Sequence, residues 1–473
     1  LKNKLTLYLL ADGARPDVFK RLLDEGQLPN IQREIIDRGT FRTATSVFPT
    51  TTGPAYLPML NGAFPGTMNV TGIRWFDKAE FFKDRWSKAA KRTYVGPEAW
   101  LFNDDMPAEF PTLHEQMERP YNVFSVITRG VPKENDLGAT GKSWMYIKAH
   151  YFAINHPVDV SAYERMMRGL DLNPEFFFVV FPCIDWGSHY YGIEHEQTIF
   201  SYKYLDFAVG EAVKKLKAQG RWDDALLIIT SDHGLTDTPT HMDLAKFMRR
   251  KGFRTFAHPN TFTIKPQAAV MISGNAFGAV HLLANGPAIL RGDDVKNAFG
   301  VANLQELLAD PAVDFVAWRG KQDGEFMVAN QHGEAAIFGK NGQGYRYQPL
   351  TADVFGLGNL ATTMDAQGAL DATFNSTYPD GLVQVEQLFR GSRAGDLVVS
   401  ANPGYDLRDR WEIPEHKGSH GSLHREHMMV PFVYNQQGWD SRNARTADIY
   451  NTILDWMGKP TRENSDGKSL IRG

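Results

Sequence analysis

LTLYLLAD, Leu5–Asp12, is a run of seven strand-forming residues that ends on an aspartate. It has no regular polar–apolar alternation, so it reads as a strand buried on both faces, the kind a parallel sheet uses. The same arrangement recurs along the chain. EFFFVVFPCI is followed by Asp185 and His189, and ALLIITS by Asp232 and His233. His420 sits in GSHGS, just ahead of the apolar run MMVPFVYN. A threonine-rich turn, FPTTTGP at 48–54, falls between the first and second of these runs. In parallel α/β sheets, functional groups collect outside the carboxyl ends of the strands. Residues far apart in sequence can therefore meet there.

Between the apolar runs lie amphipathic stretches. PDVFKRLLDEG (16–26) and LPNIQREIIDRG (28–39) read as helices closed by Gly26 and Gly39. SYKYLDFAVGEAVKKLKAQG (201–220) carries apolar residues at helical spacing and stops at Gly220. FRTATSVF (41–48) and PYNVFSVIT (120–128) read as further strands. This β–α alternation predicts an α/β fold with a mostly parallel sheet flanked by helices on both faces. From about 236 the texture changes. AVMISG, AVHLLANG, DFVAWRG, EFMVANQHG and EAAIFGKNGQGYRYQPL are short strands divided by Gly and Asn turns. From 395 the α/β texture returns with GDLVVSA, MMVPFVYN and the helix TADIYNTILDWMG. The expected organisation is a core of residues 1–235 and 395–473, with residues 236–394 inserted as an α+β cap.

The chain has 473 residues, long enough for one large α/β domain with an insertion. A net charge of −4 gives no basic field to attract a nucleic acid polymer. No uninterrupted apolar run approaches the ~20 residues of a membrane span. The one cysteine, Cys183, excludes an intramolecular disulfide and reads as a buried structural thiol. The chain starts at Leu1 and soon enters a strand, which fits a trimmed initiator segment or a removed signal peptide. The compartment, whether periplasmic, secreted or cytoplasmic, is open at this point.

Carboxylates and imidazoles with a hydroxyl nearby are the ligand set of a two-metal phosphoryl-transfer site. Each alone has a plainer role, since Asp after a strand often caps a turn or helix. Ser231-Asp232-His233-Gly234 places two ligands together at a strand end, with Gly234 letting the backbone turn. Asp185 and His189 are four apart, which can bring both to one face of a short helix. Such ligands suit Zn²⁺, with Mn²⁺ as an alternative. Thr50, Thr51 and Thr52 are the nucleophile candidates, because Pro54 marks a helix start and helix N-termini favour phosphate oxygens.

The order Asp12, threonine turn, Asp185-x-x-x-His189, Asp232-His233 and Gly-Ser-His420-Gly resembles the alkaline phosphatase superfamily. Within it, the chain looks most like the type I phosphodiesterase/nucleotide pyrophosphatase family. The tail TADIYNTILDWMG…DGKSL is similar to the closing segment of sulfatase-like members. The resemblance implies an alkaline-phosphatase-like core holding two divalent metal ions. Asp12, Thr52, Asp232 and His233 would hold one, and Asp185, His189 and His420 the other. The family pattern P-T-x-T-F-P-N-H lays onto Pro49–Tyr56 and puts the nucleophile at Thr52. The implied reaction is in-line attack by Thr52 on a small phosphorylated substrate. The same superfamily keeps phosphomonoesterase, phosphonate hydrolase, and phosphoryl transferase or mutase as alternatives. A non-enzymatic phosphoryl binder is disfavoured by the complete ligand set.

The chain departs from the family in places. F-P-N-H reads Gly53-Pro54-Ala55-Tyr56, and the expected phosphate-contacting Asn falls on Ile73. Arg74 next door, or Asn69 with a backbone shift, is the candidate replacement for substrate binding. The sulfatase motif C/S-x-P-x-R is absent, because the aligned run is Thr52-Gly-Pro-Ala-Tyr56. His416, His424 and His427 surround His420 as possible supporting residues, whereas His241, His258, His281 and His332 have no partner in sight. Trp75, Trp100 and Trp186 offer stacking or packing surfaces.

Overall fold

Each of the three runs that ends on a candidate ligand forms a strand: Leu5–Ala11, Phe176–Phe181 and Ala225–Thr230. All their residues are buried. The structure is a computed structural model and describes residues 4–96, 98–141, 145–146, 156–258, 262–340, 343–409 and 415–471. Leu5–Ala11 lies between the other two strands and runs parallel to both. Their carboxyl ends therefore share one edge. There the Asp12 N–H donates to the Phe181 carbonyl at 3.1 Å.

Among the described residues, these strands belong to a seven-stranded sheet. Pro120–Val123 flanks Phe176–Phe181 in parallel. Met429–Tyr434 pairs antiparallel with Ala225–Thr230, and Thr40–Thr45 pairs antiparallel with Met429–Tyr434. Two reversals bring Thr40–Thr45 back into the direction of Ala225–Thr230. The chain therefore leaves Thr40–Thr45 towards the edge that carries Asp12 and Asp232. The Ser46 N–H donates to the Met428 carbonyl at 2.7 Å, so residues 420–428 reach the same edge.

Helix Glu196–Ala218 covers the sheet through Leu205, Val209, Ala212, Val213 and Leu216, spaced for one helical face. It begins earlier than the amphipathic pattern, because the His195 imidazole accepts from the Gln197 N–H and caps a first turn whose Phe200 faces outward. The expected helix over 28–39 is a short α-turn, Pro29–Ile31, followed by a wider π-turn, Gln32–Ile36. The strand expected over 120–128 stops at Val123, because Phe124 takes a φ of +67° and leaves the β region. No helix among the described residues is long and apolar enough to cross a membrane.

Among the described residues, strands between Thr255 and Ala401 form a second, nine-stranded sheet. Its pairings are antiparallel except for Thr255–Ala257 beside Ala268–Ser273. The turn at 341 and 342 within EAAIFGKNGQGYRYQPL lies outside the described residues. One strand differs from expectation. Leu397–Ala401, read as the return of the core, lies between Phe277–Leu282 and Val313–Arg319 in the insertion sheet. An uninterrupted apolar run such as LVVSA looks the same in either kind of sheet. The first core strand after the insertion is Met429–Tyr434.

Core and insertion share apolar packing. Phe48, Phe64 and Phe76 lie in one buried cluster with Phe277, Phe315, Leu382 and Phe389. Helix Gly381–Arg390 carries the polar part of this junction. Gln384 Oε1 accepts from the Phe48 N–H at 2.9 Å, and Gln387 Nε2 donates to the Phe48 carbonyl at 2.6 Å. Gln384 in turn donates to Asp380, which Arg445 grips with two bonds of 2.7 and 2.6 Å. Asp380 is fully buried and Arg445 nearly so. Arg445→Met leaves this carboxylate without its cation. We expect a loss of about 3–5 kcal/mol, read as a lower urea midpoint. An unchanged midpoint would show that Arg445 does not support the junction.

Candidate metal centre and nucleophile turn

Asp12 follows the central strand directly, and Gly13 then turns the chain with a φ of +74°. A Cβ at Gly13 would meet Asp185 Cα at 2.8 Å. Only glycine lets this turn approach the neighbouring helix so closely. That helix, Cys183–Tyr191, carries Asp185 in its first turn and His189 in its last. The i,i+4 spacing places His189 Nε2 3.2 Å from Asp185 Oδ1. Cys183 opens the same helix and is buried.

After Ala225–Thr230, Ser231 fixes the local turn. Its hydroxyl donates to the His233 carbonyl at 2.8 Å and accepts from the Ala14 N–H at 3.0 Å. Asp232 and His233 are both fully buried. His233 Nε2 lies 3.3 Å from Asp232 Oδ2 and 3.6 Å from Asp12 Oδ1. His420 comes in from the far side of the chain, with Nε2 3.9 Å from Asp185 Oδ1 and its ring stacked on His233 at 3.6 Å.

The three imidazoles have a common orientation. Nδ1 lies against the Gly418 carbonyl in His189 (2.6 Å), the Gly234 carbonyl in His233 (3.1 Å) and the Thr50 carbonyl in His420 (2.8 Å). A carbonyl oxygen only accepts, so in each ring Nδ1 carries the proton. Each Nε2 then faces carboxylate oxygens, so a cation between them would be held from both sides. Asp12 Oδ1, Asp185 Oδ1 and Asp232 Oδ2 are buried with no hydrogen-bond donor among the described residues. This is the donor set of divalent metal, and the residues fit it. Two groups bring their ligand atoms within 4.8 Å of one another: Asp185, His189 and His420, and Asp12, Asp185 and His233.

The electrostatics show the crowding. Burial and the nearby Asp232 and Asp185 push the Asp12 carboxyl well above its ordinary range. Burial likewise raises Asp232. Burial would raise Asp185 as well, but the adjacent His189 holds it below the usual carboxylate value. Burial and the neighbouring His233 keep the His420 imidazole far below the ordinary histidine value, and therefore neutral.

The threonine turn meets this cluster. Gly53 adopts a φ of +91°, and the chain then enters a 3₁₀ turn, Pro54–Tyr56, and a short helix, Leu57–Asn61. Thr52 Oγ1 lies 3.1 Å from His233 Nε2 and is partly exposed. Thr50 and Thr51 are buried. The Thr50 hydroxyl is engaged by residues 421 and 422, and Thr51 Oγ1 has no hydrogen-bond partner among the described residues. Of the three hydroxyls, Thr52 is the one facing the cluster.

Asp12, Thr52, Asp185, His189, Asp232, His233 and His420 thus come together at one edge. Asp185 belongs to both ligand groups, whereas the sequence reading gave it to one. The two substrate-contact candidates go elsewhere. Asn69 donates to Ser392 Oγ at 3.1 Å and accepts from the Arg393 N–H at 3.2 Å, so it ties down the end of helix Gly381–Arg390. Arg74 is buried in strand Arg74–Phe76, with Nη1 3.4 Å from the Ile272 carbonyl, beside Ala257 and Asp409. Neither has a described contact with the Asp/His cluster.

Several supporting residues carried no sequence signal. The Tyr56 hydroxyl donates to Asp12 Oδ2 at 3.1 Å, yet Pro-Ala-Tyr-Leu reads only as apolar helix. The Ser46 hydroxyl donates to the Asp232 carbonyl. Among the extra histidines, His416 packs its ring on His189 at 4.4 Å. His427 joins Thr236 to Ser422, and His424 caps the short helix Arg425–Met428. His241 contacts Asp406 and Glu415, and His281 packs on Phe76. Trp75 is buried and bonded to Tyr94, Trp186 packs on Tyr146, and Trp100 is exposed.

Comparison with known proteins places this geometry. The structure of phosphonoacetate hydrolase from Sinorhizobium meliloti 1021 in complex with phosphonoformate aligns with a TM-score of 0.58 and 14% identity over 96% of each chain. Murine ectonucleotide pyrophosphatase/phosphodiesterase 5 aligns with a TM-score of 0.53 and 13% identity over 97% of this chain and 96% of that one. At such identities the likeness is one of fold. Bis(5'-adenosyl)-triphosphatase ENPP4 of Pongo abelii is 25% identical over 236 residues, 48% of this chain and 46% of that protein. The match thus spans about half the length of that curated relative. The sequence model of the type I phosphodiesterase/nucleotide pyrophosphatase family matches residues 6–423, and the chain belongs to that family.

Proposed function

We propose that this chain is a metal-dependent phosphoryl-ester hydrolase of the phosphodiesterase/pyrophosphatase type, with Thr52 as nucleophile. The observation that carries the reading is the Thr52 hydroxyl 3.1 Å from His233 Nε2, beside three buried carboxylates that each keep one oxygen without a hydrogen-bond donor among the described residues. Asp12, Asp232, His233 and Thr52 would hold one divalent ion, and Asp185, His189 and His420 the other. Asp185 faces both groups. Bound Zn²⁺, or Mn²⁺ in its place, supplies Lewis acidity that neutralises phosphoryl oxygens and lowers a hydroxyl's pKa.

The chain's own groups then divide the work. Thr52 Oγ1 loses its proton and bonds to phosphorus while the bond to the leaving oxygen breaks on the opposite side. This gives a phosphothreonine ester and a departing alcohol or phosphate that takes up a proton. Water attacks the same phosphorus next, and Thr52 is released with its proton restored. Asp12 and His233 hold the threonine end of the site; His189 and His420 hold the leaving-group end. Tyr56 fixes the Asp12 carboxylate through Oδ2 and leaves Oδ1 directed at His233. Ile73 replaces the family's phosphate-contacting Asn. Phosphate affinity therefore rests more on the metal sites than on a side-chain amide.

Three outcomes test the reading. Thr52→Ala lowers turnover of bis(p-nitrophenyl) phosphate by on the order of 10³-fold or more, with metal content by elemental analysis unchanged. Full activity in that variant removes Thr52 from the mechanism. Asp185→Asn reduces the metal held at both sites, whereas His189→Ala reduces it at one; equal losses would contradict the shared role of Asp185. Chelator treatment lowers Tm, and added Zn²⁺ restores it, because metal at about 1,000 times its Kd adds about 4 kcal/mol to the folded state. A chelator-insensitive Tm together with near-zero metal in the purified protein would favour a non-metal reading.

A further inference from the structure

We infer that Thr50 is a positioning residue that locks the nucleophile turn to the loop carrying His420. This rests on the assignment of Thr52 and His420 above. Thr50 is fully buried, and residues 420–422 use all its polar groups directed at them. Its hydroxyl donates to the Ser422 carbonyl at 2.9 Å and accepts from the Gly421 N–H at 2.9 Å. Its carbonyl accepts from His420 Nδ1 at 2.8 Å. These three bonds join segments about 370 residues apart in the chain.

The carbonyl bond fixes which His420 nitrogen is protonated and so turns Nε2 towards Asp185. The hydroxyl bonds fix the backbone just after His420. The other side of this loop is held by the insertion, where the His420 N–H donates to the Gly274 carbonyl and the His420 carbonyl accepts from the Ala276 N–H. His420 is thereby clamped between the insertion's 273–276 turn and Thr50.

The neighbouring threonines show that this is a division of labour. Thr51 Oγ1 has no hydrogen-bond partner among the described residues, and Thr52 Oγ1 faces His233. Two further anchors hold the same turn. Gln384 and Gln387 bracket the peptide groups of Phe48 ahead of it, and Tyr56 binds Asp12 after it. Thr50 is the anchor in the middle, and the one that connects the nucleophile's backbone to a ligand of the second metal group. The distance between the attacking oxygen and the leaving-group end of the site is therefore set through the Thr50 hydroxyl.

The test compares Thr50→Val, which keeps the shape and removes the hydroxyl, with Thr50→Ser, which restores it. Thr51→Val is the control. All are assayed as the full, zinc-loaded chain. We expect Thr50→Val to lower kcat for bis(p-nitrophenyl) phosphate about 10–100-fold, with KM changed by less than about threefold. Zinc affinity, read by chelator competition, should fall about 10–100-fold for one of the two ions. Thr50→Ser should return both quantities to within about threefold of the parent, and Thr51→Val should leave them unchanged. Thr50→Ala takes the place of the valine variant should that one not fold. Parental zinc affinity in the hydroxyl-less variant overturns the inference, as does a serine variant as impaired as valine. The zinc measurement reads the His420 loop alone, so an active Thr52→Ala would refute the nucleophile without deciding the role of Thr50.

Discussion

Three buried carboxylates crowded onto one sheet edge are the constraint on which the rest of the structure depends. Asp12, Asp185 and Asp232 lie at the carboxyl ends of three adjacent parallel strands or in the turn that follows. Taking such charges out of water is costly, and their mutual repulsion adds to that cost. Three imidazoles direct Nε2 at the same place, each held there by a backbone carbonyl on Nδ1. The edge therefore carries a candidate cation-binding donor set, and hydrogen bonds from the surrounding chain orient its members.

The insertion takes part in that organisation. It shares an apolar cluster with the core, and its longest polar junction ends on the peptide groups of Phe48, four residues before Thr52. Its 273–276 turn is hydrogen-bonded to His420. A segment that from its sequence texture reads as an added cap thus contacts both the threonine turn and the His420 loop.

Much of this was legible in the sequence because strand-ending ligands leave two signals at once. An apolar run marks buried parallel strands, and the charged residue beyond it marks the shared edge; Asp12, Asp232 and His233 were found in this way. The i,i+4 spacing located Asp185 and His189. Thr52 was separated from Thr50 and Thr51 only by resemblance, and the structure adds a physical reason in the exposure and direction of its hydroxyl. Other features were hidden for definite reasons. Leu397–Ala401 is apolar throughout, so its pattern could not say which sheet it joins. Tyr56, Thr50 and the paired Gln384 and Gln387 act through partners distant in sequence, and local spacing carries no trace of them. Arg74 and Asn69 were chosen by register with a family pattern, and their contacts with Ile272, Ser392 and Arg393 left no trace in local spacing.

The central claim is a double displacement through Thr52. Its most direct test is the stereochemical course at phosphorus, measured with a chiral phosphorothioate diester hydrolysed in ¹⁸O-labelled water. Two successive in-line attacks, first by Thr52 and then by water, give net retention, and that is the predicted result. Net inversion would mean that water attacks the substrate directly, and would contradict the account.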